Sequence, residues 1–351
     1  MQLLFRIYEP DSICAPHMII AELSANHGQE ESLAFKLIQA AYDAGADAVK
    51  VQTYTPDTIT FRSEQDVFII KDQPLWKGQN LWDLYQQAYT PWEWQPRLKD
   101  KAEQLGLKFI ASVFDFSSVD FWEEHGLEIY KIASAEIIDI PLLKRVAATG
   151  KQLILSTGMA LAEEIDEAVF NLREVNPKID LTLLKCSSAY PAPPEAMNLL
   201  GIRTLQEQYH VPVGLSDHTL DNEIAATAVG LGATVFEKHL KLADGDPTPD
   251  DAFSLAPDRF SAWVRAIRTA TAALGSSVLA PTEYEKPTLP FRKSLFVVKD
   301  MKEGEEFTPE NVRSIRPSGG LHPRDYESVL GKTAAKTISA GTPLSCCLIR
   351  H

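Results

Sequence analysis

The chain has 351 residues, enough for one large domain and a small one. Its formal net charge of −14 argues against nonspecific nucleic-acid binding and against docking on an anionic membrane surface. No apolar run reaches the roughly 18 residues needed to cross a bilayer. The opening MQLLFRIYEPD breaks at Arg6 and Glu9 before a signal-peptide core can form. Cys14, Cys186, Cys346 and Cys347 show no metal-type spacing, and the adjacent pair suits a disulfide poorly. The expectation is a cytoplasmic, reduced protein.

From residue 18 to about 275, short apolar runs alternate with helical patterns. The runs are MIIAEL (18–23), AVKVQT (48–53), KFIASV (108–113), IYKIAS (129–134), QLILST (152–157), LTLLKCS (181–187), VPVGLSD (211–217) and TVFEKHL (234–240). In the first helical pattern Leu33, Leu37, Ile38 and Ala41 share a face, and Gly45 suits its end. Eight strands alternating with helices predict a (β/α)8 TIM barrel over 1–275, an α/β fold. A doubly wound open sheet is the alternative, although no GxGxxG follows the first strand. The insertion 54–92 is rich in aromatics (Trp76, Trp82, Tyr85, Tyr89, Trp92), which suits loop packing or substrate contact equally.

Three strands share a grammar in which a helix-ending glycine precedes a charged residue by five positions. Gly45 precedes Lys50, Gly126 precedes Lys131, and Gly232 precedes Glu237. Side chains alternate along a strand, so these three residues are predicted to point the same way, with Gln52 and His239 on that face. Glu22 ends the first strand, followed by Asn26 and His27. Lys238 has the opposite parity and belongs to the helix layer or a local pair. Ser112, Ser134, Ser156, Ser187 and Ser216 also stand at or near strand ends, where barrel enzymes assemble their sites. Such hydroxyls together with Lys50 and Lys131 suit a small polyanion, a phosphate or a carboxylate. His218 and His239 end neighbouring strands beside Glu237. Two imidazoles with further coordination positions open fit a divalent cation, whereas closed structural zinc would want four protein ligands. Ser216-Asp217-His218 makes a poor hydrolase triad, since adjacent strand residues cannot face one another.

The proline-bearing segment 276–290 reads as a linker. Beyond it, VVKDMKEGEEF (297–307) lies over AAKTISAGTPL (334–344), matching Lys299 with Lys336, Met301 with Ile338, Gly304 with Gly341 and Phe307 with Leu344. The repeat predicts a small β-rich domain over 291–351 with internal pseudo-symmetry.

In order along the chain, IIAELSANHGQ, DAVKVQTY, YKIASAE, STGMA, SSAYPAPP, GLSDHT and FEKH resemble the motifs of the N-acetylneuraminate (sialic acid) synthase family, and the tail from FRKSL resembles its antifreeze-like (SAF) domain. The resemblance spans nearly the whole chain. It implies a transferase that condenses phosphoenolpyruvate with an open-chain 2-acetamido sugar, giving a 2-keto acid and phosphate. ELSANH, YTPDTIT, LWDLYQQAYTPWEW and SAYPAPPEAMNL are most similar to the branch whose sugar carries acetamido groups at C2 and C4. A sister activity on another 2-acetamido sugar is the alternative, followed by a metal-dependent aldolase and, outside enzymes, a binding module.

By the same resemblance His218 and His239 would hold Mn2+ or Mg2+. Lys50, Ser112, Lys131, Ser134, Ser156 and Ser187 or Ser188 would bind phosphoenolpyruvate. Gln52, Glu136, Tyr190, Ser216 and Asp250 would line the rest of the pocket. Glu22 would stabilise cationic character at the reacting carbon or orient water, and Glu237 would support metal-bound water. The family also implies a homodimer with swapped C-terminal domains, Arg292 reaching the partner's sugar. The chain departs from the family pattern at Ser112-Val113-Phe114, where STPF is usual. It departs again at Thr248-Pro249-Asp250, where Gly-Pro-Asp is usual, and at Asn26-His27-Gly28-Gln29, where NHNG is usual.

Overall fold

The computed structural model describes residues 17–245 and 248–350. Cys14 and the opening segment lie outside them. Contacts divide the chain into two compact units, parting between Ser276 and Ser277.

In the first unit eight parallel strands close in sequential order: β1 (Met18–Glu22), β2 (Ala48–Thr53), β3 (Lys108–Val113), β4 (Ile129–Ile132), β5 (Gln152–Ser156), β6 (Leu181–Cys186), β7 (Val213–Ser216) and β8 (Val235–His239). The ring is completed by β1 on β8, with Glu22 opposite His239. Closure excludes the open doubly wound sheet. The predicted runs form these strands because both faces of a parallel barrel are covered, so apolar side chains are favoured in both directions. One face packs against the helices through residues such as Ile19, Val49, Ala111 and Leu155. The other fills the barrel with Ile20, Ala48, Ile110, Ile129, Ile154, Leu184 and Val235. The helix Glu31–Asp43 buries Ala34, Leu37, Ile38 and Ala41, the i, i+3, i+4, i+7 stripe, while the expected Leu33 sits one position off it and is only half-buried. Gly45 follows it at φ 87°, a left-handed end that suits glycine.

The second unit pairs β9 (Ser294–Val297) with β10 (Val312–Ile315), and β11 (Thr333–Ala334) with β12 (Ile349–Arg350). Its core holds Leu295, Met301, Phe307, Ile338 and Leu344. The matched repeats face one another across a local pseudo-dyad. Met301 and Ile338 exchange backbone bonds of 2.8 and 2.9 Å, while Gly304 N–H donates to Ala334 and Gly341 N–H donates to Val297, both at 2.8 Å. Equivalent glycines sit at φ 80° and 86°.

Candidate functional site

Just above the apolar layer inside the barrel, the inward positions turn polar. Ladder register sets Glu22 beside Lys50, Gln52 beside Ser112, Ser112 beside Lys131, and Ser216 beside Glu237. Lys50 Nζ lies 3.0 Å from Glu22 Oε2 and 2.9 Å from Glu237 Oε1, all three side chains being buried. The two carboxylates sharing this ammonium are inequivalent. Burial raises Glu22, and Lys50 only partly offsets it. Burial also pushes Glu237 upward, but Lys50 and Lys131 more than reverse that and hold it below the usual carboxylate range. Lys50 is pushed up, because its two carboxylates outweigh burial. Glu22, assigned from sequence to the reacting carbon, is fully buried, its oxygens engaged by Lys50 and by Gln52 at 3.2 Å. The carboxylate on the cavity wall is Glu237, with Oε1 taking bonds from Lys50 and Ser216 and Oε2 free.

One side of this level is built for an anion. Lys131, lowered to about 8 by burial, donates to Ser156 Oγ at 2.6 Å and to the Ile132 carbonyl at 2.9 Å. Gly158 N–H donates to Ser134 Oγ at 3.2 Å. A Cβ on Gly158 would fall 2.6 Å from Ser188 Oγ, 2.7 Å from Ser134 Oγ and 2.8 Å from Cys186 Sγ, so only glycine lets these groups converge. Of the two alternatives at 187 and 188, Ser188 brings its hydroxyl here. Ser187 lends its carbonyl to His218 instead. Gly158 carried no strand-end charge to mark it and was missed from sequence.

His218 and His239 stand with ring centroids 5.4 Å apart. His218 Nδ1 meets the Ser187 carbonyl at 2.8 Å, an acceptor only, so Nδ1 carries the proton. His239 Nδ1 meets Ser24 Oγ at 3.2 Å, and Ser24 in turn donates to Asp250. Both anchors leave Nε2 as a lone pair, the arrangement of metal-binding imidazoles. Burial lowers the pKa of both, favouring the neutral form a metal needs. Among the described residues no group of three or more His, Cys, Asp or Glu is disposed to hold a metal. Two imidazoles with free Nε2 atoms fit a cation that takes its remaining ligands from water and substrate oxygens.

The strand ends floor a cavity of about 430 Å³. Lys50, Gln52, Ser112, Lys131, Ser134, Ser156, Tyr190, Ser216, Glu237, His218, His239 and Asp250, all named from sequence, line it. The 54–92 insertion both packs as a loop and reaches the cavity wall. Trp76 and Tyr85 line the cavity, with Trp76 Nε1 donating to the Pro249 carbonyl at 3.2 Å, while Trp82 and Trp92 brace the loop through Asp57 and the Tyr54 carbonyl. Glu136, expected to line the pocket, stands instead in the short turn Ala135–Ile138 after β4, off the cavity wall, with Oε2 unpartnered and raised to about 7 by burial. His27 clips the first loop to Thr90 at 3.0 Å, and Asn26 clips it to Leu240 and Ser254. Burial pushes His27 down to about 4, as befits a neutral structural histidine. Among the described residues, the buried side-chain atoms lacking a hydrogen-bond partner are Ser112 Oγ, Glu136 Oε2, Ser188 Oγ, Glu237 Oε2 and Glu22 Oε2, the last having its ion pair. Orphaned polar atoms are costly in a folded core, and here they gather at one set of strand ends.

Within the second unit Arg292 and Lys293 line a cavity of about 820 Å³, joined by Arg316 and His322. Arg316 carried no marker in the sequence, and only the fold brings it beside Arg292.

Comparison with known proteins agrees with this geometry. Residues 37–279 match the NeuB family and residues 292–345 match the SAF domain. The chain is 43% identical over 332 residues to a pseudaminic acid synthase of Helicobacter pylori, covering 94% of this chain and 97% of that one. It is 36% identical to an N,N'-diacetyllegionaminic acid synthase of Campylobacter jejuni, covering 91% and 96%. Its fold is similar to the crystal structure of an N-acetylneuraminic acid synthetase from Leptospira borgpetersenii, with TM-score 0.69 and 32% identity over 78% of this chain and 90% of that one. With the NeuB model matching most of the barrel and relatives of this kind aligned over more than nine-tenths of its length, the chain belongs to the NeuB family.

Proposed function

We propose that this chain is a pseudaminic acid synthase, a transferase that condenses phosphoenolpyruvate with 2,4-diacetamido-2,4,6-trideoxy-β-L-altropyranose and water to give pseudaminate and phosphate. The observation that carries the reading is the convergence of donors at one set of strand ends, the Lys131 ammonium, the Ser134 and Ser188 hydroxyls meeting over Gly158, and the unpartnered Ser112 hydroxyl, a cradle suited to a substrate bearing both a phosphate and a carboxylate. The higher identity to the pseudaminic acid synthase than to the legionaminic relative favours this sugar.

In this account Lys131, Ser134, Ser156 and Ser188 hold phosphoenolpyruvate over Gly158, whose N–H orients the Ser134 hydroxyl, with Lys50 and Ser112 at its edge. Gln52, Tyr190, Ser216 and Asp250 face the sugar, with Glu136 behind them. A divalent cation, Mn2+ or Mg2+, held by His218 and His239, would supply Lewis-acid polarisation of the sugar aldehyde. The enol C3 forms the new bond to the aldehyde carbon, leaving cationic character at C2. Glu237, ionised and with Oε2 free, orients water toward C2 and stabilises that charge. Collapse of the resulting tetrahedral centre breaks the C–O bond and releases phosphate. Glu22 acts through Lys50 and Gln52, fixing their directions. The family resemblance also supports a homodimer in which Arg292 and its domain close the partner's barrel.

The test is product identity with phosphoenolpyruvate labelled with 18O in the C2–O–P bridge. The account predicts a nine-carbon 2-keto acid by mass spectrometry and label in the released phosphate. Label retained in the keto acid, or condensation of free pyruvate without phosphate, would overturn it.

A further inference from the structure

Lys238 has no place in the cavity, yet its side chain is fully buried. Its Nζ lies 2.9 Å from Asp217 Oδ2, both partners being completely shielded from solvent, and it also donates to the Thr219 carbonyl. The residues on either side of His218 are thereby gripped by the residue immediately before His239. Asp217 is fixed further by Trp263 Nε1 at 3.0 Å and by the Thr219 N–H and hydroxyl at 2.9 and 2.7 Å.

The position of this pair gives it a purpose. The β7–β8 ladder pairs Leu215 with Phe236 and Ser216 with Glu237, and one backbone bond follows, from Asp217 N–H to the Glu237 carbonyl at 2.9 Å. His218 stands beyond that point, where backbone pairing no longer sets its distance from β8. A buried ion pair is weak evidence for stability, because desolvation of both charges opposes their attraction. Its attested use is to fix a register, and here the register is that of two imidazoles.

We propose that the Lys238–Asp217 pair is a positioning device that holds His218 and His239 at metal-binding separation. It acts from the helix side of the barrel and touches neither substrate nor cation. The proposal rests on the metal-site reading above. It predicts that the pair controls metal affinity independently of the anion cradle, whose residues stand on β4, β5 and the loops after β4 to β6.

The test compares Mn2+ binding, followed by electron paramagnetic resonance, with phosphoenolpyruvate binding in the wild type and in Lys238→Met/Asp217→Asn. The double variant removes both charges together, so no lone buried charge is left to unfold the barrel. Lys238→Gln/Asp217→Asn, which also leaves no lone charge and keeps hydrogen-bonding groups at both positions, is the second variant should the first double fail to fold. The expected result is roughly 10- to 100-fold weaker Mn2+ binding, the usual cost of losing an outer-shell partner, with phosphoenolpyruvate affinity unchanged. Unchanged Mn2+ affinity in a folded variant would overturn the proposal while sparing the metal site. Absence of specific Mn2+ binding in the wild type would overturn both, and a His218→Ala control distinguishes specific from adventitious binding.

Discussion

The Lys131 ammonium donates to the Ser156 hydroxyl at 2.6 Å, joining β4 to β5 where the barrel interior turns from apolar to polar. Burial lowers Lys131 to about 8, so near that pH about half the free molecules carry it neutral. A bound anion favours the charged form. Phosphoenolpyruvate binding at pH 8 therefore takes up a fraction of a proton, and this uptake fades below pH 7, where the ammonium is already charged. Calorimetry in buffers of different ionisation enthalpy reads the uptake. Lys131→Met abolishes it and weakens binding by roughly 10- to 100-fold, the worth of a charged hydrogen bond. The same depressed pKa makes folding stability rise with pH between about 8 and the ordinary 10.5, because the unfolded chain then binds more protons.

Glu136 has the opposite linkage. Burial raises it from 4.5 to about 7, so the folded state binds the extra proton in this window. Its contribution is fully present below 4.5 and is lost as pH rises through 7. Thermal melts of Glu136→Gln against wild type from pH 4 to 8 show the variant gaining relative stability on the order of 3 kcal/mol across that range. Parallel melting curves at every pH would show that the carboxyl is solvated as an ordinary glutamate.

Gly158→Ala tests the anion cradle by volume alone. The added methyl meets Ser134, Ser188 and Cys186 inside 3 Å, and such overpacking costs about 1–3 kcal/mol unless the neighbours move outward. Steady-state kinetics should give a KM for phosphoenolpyruvate raised at least about tenfold, since the displaced hydroxyls are its ligands, while Mn2+ affinity stays near wild type. A change confined to the sugar KM would place the phosphate elsewhere.

Replacing His218 or His239 by Ala removes one of two anchored imidazoles. The expected outcome is a kcat/KM lower by about a thousandfold or more, since a Lewis acid supplies several kcal/mol to the transition state. Mn2+ binding is lost in parallel, while the melting temperature of the metal-free protein falls little. Retained activity in the presence of chelator would remove the cation from the account.

Much of this site was legible because strand geometry is periodic. A glycine ending each preceding helix sets where the next strand begins, so Lys50, Lys131 and Glu237, each five residues on, reach the same level facing inward. Depth was not legible. Glu22 and Glu237 look equivalent in sequence, and only Gln52 and Lys50 arriving from the next strand seal Glu22 beneath them. Residues defined by what surrounds them also escaped notice, Gly158 by three converging side chains and Arg316 by a cavity it shares with Arg292. The C-terminal repeat was readable because its equivalent glycines must both take positive φ.

The most direct measurement is phosphate release with phosphoenolpyruvate and Mn2+, comparing the 2,4-diacetamido-altrose sugar with N-acetylmannosamine, each with and without chelator. The account predicts release with the diacetamido sugar at a kcat/KM at least about a hundredfold higher, abolished by chelation, as expected when a site built for a second acetamido group is left partly unpaired. Preference for N-acetylmannosamine, or release that survives chelation, would contradict it.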